Sequence, residues 1–389
     1  MTLPALPFEA KPVRRLHRPR REELWALDEP VLLTGCMEDW TLFQELRARA
    51  SFEQKLALLG SLFGAQPVSF QCMPRGTGGH YHFAKSLEDV TFGQPTSNVP
   101  FDVFAQRLLR SLNGASDDYV YLQAHLIAKG TPLHQALGPN VLPLLSEEQA
   151  RPLLWAGSNG QVVNLHYDDF LNFICMVEGT KRVTMFSPEL LPSMYHAPFD
   201  RMLNMAQASH VRLLEVDHAR FPRFREALSE ARVAVVQPGE VLYIPPMWWH
   251  HVESFGLNVM VNNWVLVATL EELVETQENL TRAVRMFASC TEQQRAQALA
   301  LYRRTVFAPA TGAAEEGPGP GEAPQHARHR LETQRMLARM PDFLRRQMAL
   351  YYEHFVFQVH GDPIPSQPGA FAAMLERNAH TTTFFLREE

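Results

Sequence analysis

Apolar and polar positions along the chain change period several times, settling into strand spacing between Val162 and Trp264. Before that stretch the elements are mixed. A basic cluster, Arg14–Arg21, leads into a short helix at Glu22–Leu27, and Pro30–Thr34 reads as a strand stopped by Gly35 with Trp40 packed beneath it. Phe52, Leu56, Leu58, Leu59 and Leu62 recur at near-helical spacing behind Ser51, a suitable N-cap. The Gly76–Gly79 loop carries no phosphate-cradle signature and delivers His80 and His82, two places apart, to a polar edge strand or site rim. Phe101–Leu112 predicts an amphipathic helix capped by Asp102. Tyr119–Gln123 predicts a strand with Tyr119, Tyr121 and Gln123 on one face.

In the central stretch the strands are short, antiparallel in pattern and punctuated by Gly and Pro, which predicts a jelly roll within an α+β chain. Asn172–Cys175 and Lys181–Phe186 read as the two arms of a hairpin reversing at Glu178-Gly179-Thr180. An insert from Leu190 to Arg232, in which Pro192, Pro198 and Pro222 exclude a long helix, is the expected selectivity loop. Leu257–Val267 alternates, with Asn258, Met260, Asn262 and Trp264 on one face and Val259, Val261 and Val265 on the other. At Thr269 the period becomes helical, opening on the capping box Thr269–Glu272. Thr291–Gln294 repeats that box before a helix reaching Val306, and further helical pattern covers His329–Met340 and Asp342–Phe357. A Gly/Pro/Glu-rich linker lies within 312–326. The expected division is a strand-rich unit over 1–268 and a helical region over 269–389.

Net charge of −6 disfavours a general nucleic-acid or membrane-surface binder. No apolar run has the length of a membrane span, and prolines interrupt the start of the chain where a signal peptide would need an apolar core. The 4 cysteines are scattered without a Cys-x-x-Cys pair, as expected of reduced thiols in a cytoplasmic protein.

The chemistry concentrates in two runs, Asn164–Asp168 and Tyr243–His251. On a strand, His166 and Asp168 project from one face and can offer an imidazole and a carboxylate to a single ion. With 16 histidines and 42 acids, such a triplet arises roughly twice by chance, so it needs company. His250 is the chosen third ligand, and two histidines with one carboxylate form the open-sided triad of non-haem Fe(II) oxygenases. Lys181 shares a face with Val183 and Met185, which places its ammonium among apolar neighbours unless it bends out to water, and a buried ammonium there needs an anion that the hairpin does not supply.

The runs His166-Tyr167-Asp168, Asn172-Phe173, Gly179-x-Lys181-Arg182, Phe186-x-Pro188, Pro238–Pro245, Trp248–Ser254 and Val261-Asn262-x-Trp264 together resemble the jumonji-C, cupin-like 2-oxoglutarate oxygenases, above all their asparaginyl hydroxylases. Tyr121-Leu122-Gln123 and, more faintly, Pro30–Gly35 extend the likeness upstream. The resemblance implies a double-stranded β-helix with flanking helices. It also implies Fe(II) held by His166, Asp168 and His250, with 2-oxoglutarate and O2 as co-substrates. Lys181 and Tyr121 would bind the distal carboxylate of 2-oxoglutarate, with Asn172, Asn262 and Trp264 lining its pocket, and Gln123, Arg201 and Met202 would face the substrate. The chain departs from the hydroxylase pattern at Val163, where a threonine touches the co-substrate, and at Met202, where a glutamine holds the target. The implied activity is hydroxylation of a protein or peptide side chain, with C-terminal helices forming a homodimer. Demethylation, an RNA or small-molecule substrate, and a non-catalytic cupin-fold binding protein are the alternatives.

Overall fold

A computed structural model describes residues 3–81, 94–138, 142, 144–146, 150–197 and 207–265, and of the C-terminal part 280, 283–284, 286–287, 290–305, 323, 328 and 342–359. The chain divides into two compact units, Met1–Ala197 with Leu203–Leu266, and Pro198–Met202 with Val267–Glu389.

The strands of the first unit, in chain order, are β1 Lys11–Pro12, β2 Arg14–His17, β3 Val31–Thr34, β4 Val68–Pro74, β5 His80–Tyr81, β6 Gln94–Val99, β7 Asp118–Leu126, β8 Pro152–Gly157, β9 Val162–Tyr167, β10 Leu171–Phe186, β11 Gln207–Ala208, β12 Arg232–Val236, β13 Val241–Ile244 and β14 Trp249–Val265. Two long strands form the spine. β10 and β14 pair antiparallel from Leu171 opposite Val265 to Phe186 opposite Trp249. The first half of β10 takes β13 on its other side and the second half takes β12. Likewise β14 takes β9 beside His250–Glu253 and β8 beside Asn258–Asn263. Each long strand thus serves two layers, the arrangement of a cupin-type jelly roll, the double-stranded β-helix. Apolar residues from both layers, including Ile174, Met176, Val183, Met185, Val236, Leu242 and Val252, meet in one buried cluster.

The expected hairpin at Glu178-Gly179-Thr180 does not form. Asn172–Cys175 and Lys181–Phe186 belong to one strand, and the glycine sits in a bulge where the register shifts between Met176, Glu178 and Thr180. A turn and a bulge both use a residue at positive φ, and Gly179 has φ +82; a Cβ there would lie 2.2 Å from the Leu257 carbonyl oxygen. The bulge also flips the parity of β10, so that even-numbered Ile174 and Met176 and odd-numbered Val183 and Met185 all reach the same core.

Helices flank the sheet where periodicity placed them, with local differences. Phe52–Phe63 opens on a full capping box between Ser51 and Gln54. Phe101–Leu112 begins after Pro100 without a side-chain cap, so Asp102 lies inside the first turn rather than at the N-cap. The short helix Thr41–Arg47 carries too little apolar periodicity to announce itself. In the second unit, Thr291 and Gln294 exchange backbone-to-side-chain hydrogen bonds of 2.8 and 3.3 Å ahead of helix Glu292–Thr305. Asp342–Tyr351 runs into a wider turn at Tyr352–Val356. Tyr302, Tyr352, Phe287 and Phe357 pack together there, beside an Arg303–Glu353 ion pair. The capping box at Thr269, the helix at His329–Met340 and nearly all of the 312–326 linker lie outside the described residues. No helix among the described residues is long and apolar enough to cross a membrane.

Candidate metal and anion site

Two histidines far apart in the chain become neighbours because β9 and β14 pair with His166 opposite His250, setting their ring centroids 4.1 Å apart. Asp168 follows just past the end of β9. Its carbonyl accepts the Met247 N–H at 2.9 Å, which ties the exit of β9 to the entry of β14. Met247 holds φ +64, costly for a bulky side chain and maintained here by the surrounding packing. One ligand atom from each of His166, Asp168 and His250 lies within 4.8 Å of the others.

The donors are already oriented. His166 Nδ1 donates to the Asn164 carbonyl at 2.7 Å and His250 Nδ1 to the Trp248 carbonyl at 2.9 Å, each two residues back in its own segment. A carbonyl only accepts, so both rings carry the proton on Nδ1 and the lone pair on Nε2. Burial brings both imidazoles down to about 4, which keeps them neutral near pH 7. Burial raises the Asp168 carboxyl, whose Oδ2 lies 3.6 Å from His250 Nε2. Because that ring is neutral, no cationic side chain among the described residues is paired with this carboxylate. A buried carboxylate beside two imidazole lone pairs is a donor set suited to a divalent cation.

Asp168 is held in turn by a directional chain. Trp155 Nε1–H donates to Asn262 Oδ1 at 2.8 Å, Asn262 Nδ2 to Asn172 Oδ1 at 3.3 Å, and Asn172 Nδ2 to Asp168 Oδ2 at 3.3 Å. The two asparagines therefore meet each other and the carboxylate. Trp264 stacks on Phe170 and stands edge-on to Trp155, and Tyr121 packs against Tyr81 and Trp155. Gln123 accepts a hydrogen bond from the Tyr81 hydroxyl.

Lys181 is fully buried and lies opposite Ser254, whose Oγ accepts its ammonium at 2.7 Å. Burial lowers this lysine from 10.5 to about 7. Among the described residues no acid pairs with it, whereas neighbouring Arg182, on the other face, makes a two-pronged pair with Glu253 at 2.6 and 2.7 Å. Ser254 is a site residue that reading the sequence missed. Its parity with His250 was the available signal, but the cross-strand register that brings it to Lys181 was not. His251, absent from the ligand cluster, lies opposite Thr184 on β10, and burial pushes its ring down to about 3. Arg201, Met202 and His82 lie outside the described residues.

The profile of the cupin-like domain matches residues 18–265. The chain is 36% identical over 266 residues to JmjC domain-containing protein D of Dictyostelium discoideum, covering 63% of this chain and 54% of that protein. It is 36% identical over 135 residues to HSPB1-associated protein 1 of Homo sapiens (33% and 26% covered). It is 32% identical over 119 residues to lysine-specific demethylase 8 of Xenopus tropicalis (31% and 26% covered). The chain thus spans from about a quarter to just over half of the length of these relatives. With the profile covering most of the chain and the strands closing into a cupin-type jelly roll, the protein belongs to the cupin-like, jumonji-C family.

Proposed function

We propose that this chain is an Fe(II)- and 2-oxoglutarate-dependent oxygenase that hydroxylates a side chain of a protein or peptide. The observation that carries the reading is the His166–Asp168–His250 donor set on the same inward face as a buried lysine that, among the described residues, has no acid beside it. Along β10 and β14, the Met185–His250 pair and the Lys181–Ser254 pair are four rungs apart, about 13 Å at strand spacing. With a histidine reaching in from one end and a lysine from the other, the remaining gap suits a five-carbon dicarboxylate. When bound, iron together with O2 and the keto acid supplies the oxidising power; the protein binds, orients and keeps water out.

In this reading Lys181 and Ser254 receive the distal carboxylate. Burial raises the Tyr121 phenol well above its ordinary range, so it stays protonated and able to donate. Ion pairing with the co-substrate returns Lys181 to its ammonium form, a charge-assisted contact in a dry wall. Asn172 and Asn262 hold Asp168 in place. A second reading, oxidation of an N-methyl group with release of formaldehyde, draws on the relatives named lysine-specific demethylase in Xenopus tropicalis and Arabidopsis thaliana.

The experiment is 2-oxoglutarate turnover to succinate by the purified chain with and without Fe(II), followed by mass spectrometry of candidate peptides. Iron-dependent succinate with gain of one oxygen supports hydroxylation. Loss of a methyl group with formaldehyde moves the assignment to demethylation. Bound metal with no consumption of 2-oxoglutarate, in the presence or absence of peptide, replaces the oxygenase with a cupin-fold binding protein.

A further inference from the structure

On the Nδ1 side of His166, away from Nε2, lies a run of polar groups, buried except at its arginine end, that the proposed chemistry does not use. The guanidinium of Arg212 reaches His80 Nε2 at 3.0 Å. Because a guanidinium can only donate, Nε2 accepts and the proton of His80 sits on Nδ1. That Nδ1–H donates to Asn164 Oδ1 at 2.6 Å, which leaves the Asn164 amide NH2 to donate to the Tyr81 carbonyl at 3.1 Å. The backbone carbonyl of the same Asn164 accepts His166 Nδ1–H at 2.7 Å. The direction of each of these bonds is thus fixed from the arginine end up to His166.

The array stands where β9 is irregular. His166 is opposite His250 and Val163 opposite Val252, so β9 carries one residue more than β14 across this step, and Asn164 and Leu165 fall in the bulge. A bulge beside a site re-aims the side chain that follows it, but its own backbone must be held by other bonds. Here Ser209 N–H donates to the Leu165 carbonyl at 2.9 Å, β11 pairs Ala208 with His166, and the Asn164 amide is pinned by His80 and Tyr81. The chain makes room for this arrangement: Gly79 has φ +77, and a Cβ there would lie 2.0 Å from the Gly160 carbonyl oxygen, so only glycine brings His80 against β9. Burying a histidine and an asparagine is expensive unless their bonds are complete, and completed networks rigidify what they touch.

We propose that Asn164 and His80, anchored by Arg212, are positioning residues that set the ring orientation of the ligand His166 and link it to the part of the insert that follows β11. The inference rests on the metal-centre reading above. Losing a group that orients a ligand histidine typically weakens metal affinity about 10–100-fold.

The test is titration of the 389-residue chain with Co(II), read as a dissociation constant and as visible ligand-field bands, with the melting temperature of metal-free protein as control. Asn164→Ala, His80→Ala and Arg212→Met should each raise the Kd by about 10–100-fold and shift the bands. His80→Asn, whose amide N–H can stand where Nδ1–H stood, should recover most of the loss. Arg212→Met alters the partly exposed end of the array and decides the matter if the buried substitutions do not fold. Unchanged Kd and bands in Arg212→Met and in the other variants that fold, or His80→Asn no better than His80→Ala, overturn the proposal. Failure of the unaltered protein to bind Co(II) would instead remove the metal centre itself.

Discussion

Replacing Lys181 with methionine should make the protein more stable while destroying the proposed co-substrate site. Burial takes the lysine from 10.5 to about 7. At about 1.4 kcal/mol per tenfold change, that is a penalty of about 5 kcal/mol, carried in full below about pH 7. The sign follows from proton counting. Between the two values the unfolded chain holds a proton that the folded one lacks, so stability rises with pH across that window and the penalty fades toward the upper value. Methionine keeps the unbranched stem and removes the charge, at a cost of about 1–3 kcal/mol for leaving Ser254 Oγ without its donor. The net gain in metal-free, co-substrate-free protein near pH 6.5 is therefore about 2–4 kcal/mol. Urea unfolding at about pH 6.5 and about pH 9.5 measures it, and the gap between variant and parent should shrink by about 3 kcal/mol at the higher pH. The same variant should need at least about a hundredfold more 2-oxoglutarate, because the distal carboxylate would be desolvated without a counter-charge. A variant no more stable than the parent at the lower pH, or a gap that does not close with pH, would refute the electrostatic account. An unchanged 2-oxoglutarate requirement would take Lys181 out of the pocket.

His250→Ala should abolish stoichiometric metal uptake whereas His251→Ala retains it, as measured by metal content after dialysis; the reverse result would exchange their roles. Breaking the buried Arg182–Glu253 pair by Glu253→Ala should cost about 3–5 kcal/mol in urea unfolding, since it strands a buried guanidinium, and a loss under about 1 kcal/mol would show that water or the Pro4 carbonyl takes over. Gly179→Ala should destabilise by more than about 1 kcal/mol, because φ +82 and the Leu257 carbonyl both oppose a side chain there; a neutral result would mean that the bulge relaxes freely.

Much of the local structure was legible in the residues. Ser51 and Gln54 cap their helix as a Ser-x-x-Gln pattern should, and Phe101–Leu112 follows its apolar period to the residue. The spacing of His166 and Asp168 placed both on one strand face, yet β9 ends at Tyr167, and Asp168 reaches the same cluster from just beyond the strand, where its carbonyl is tied to the Met247 N–H. The hairpin failed for an equally physical reason. Two alternating runs around a glycine look alike whether the chain reverses or merely bulges, and only the pairing of both runs with the single strand Trp249–Val265 distinguishes them.

The residues alone determined which side chains share a face, where several helices begin, and that a histidine, a carboxylate and a lysine among apolar neighbours lie in one strand-rich unit. The tertiary structure alone decided which strand lies opposite which. It set His250 rather than His251 against His166, gave Lys181 a serine instead of an acid, and brought His80 from across an edge to hold Asn164. Side-chain alternation is written into each strand by backbone geometry, whereas register is settled by burying many faces at once, and no short stretch of sequence carries that sum.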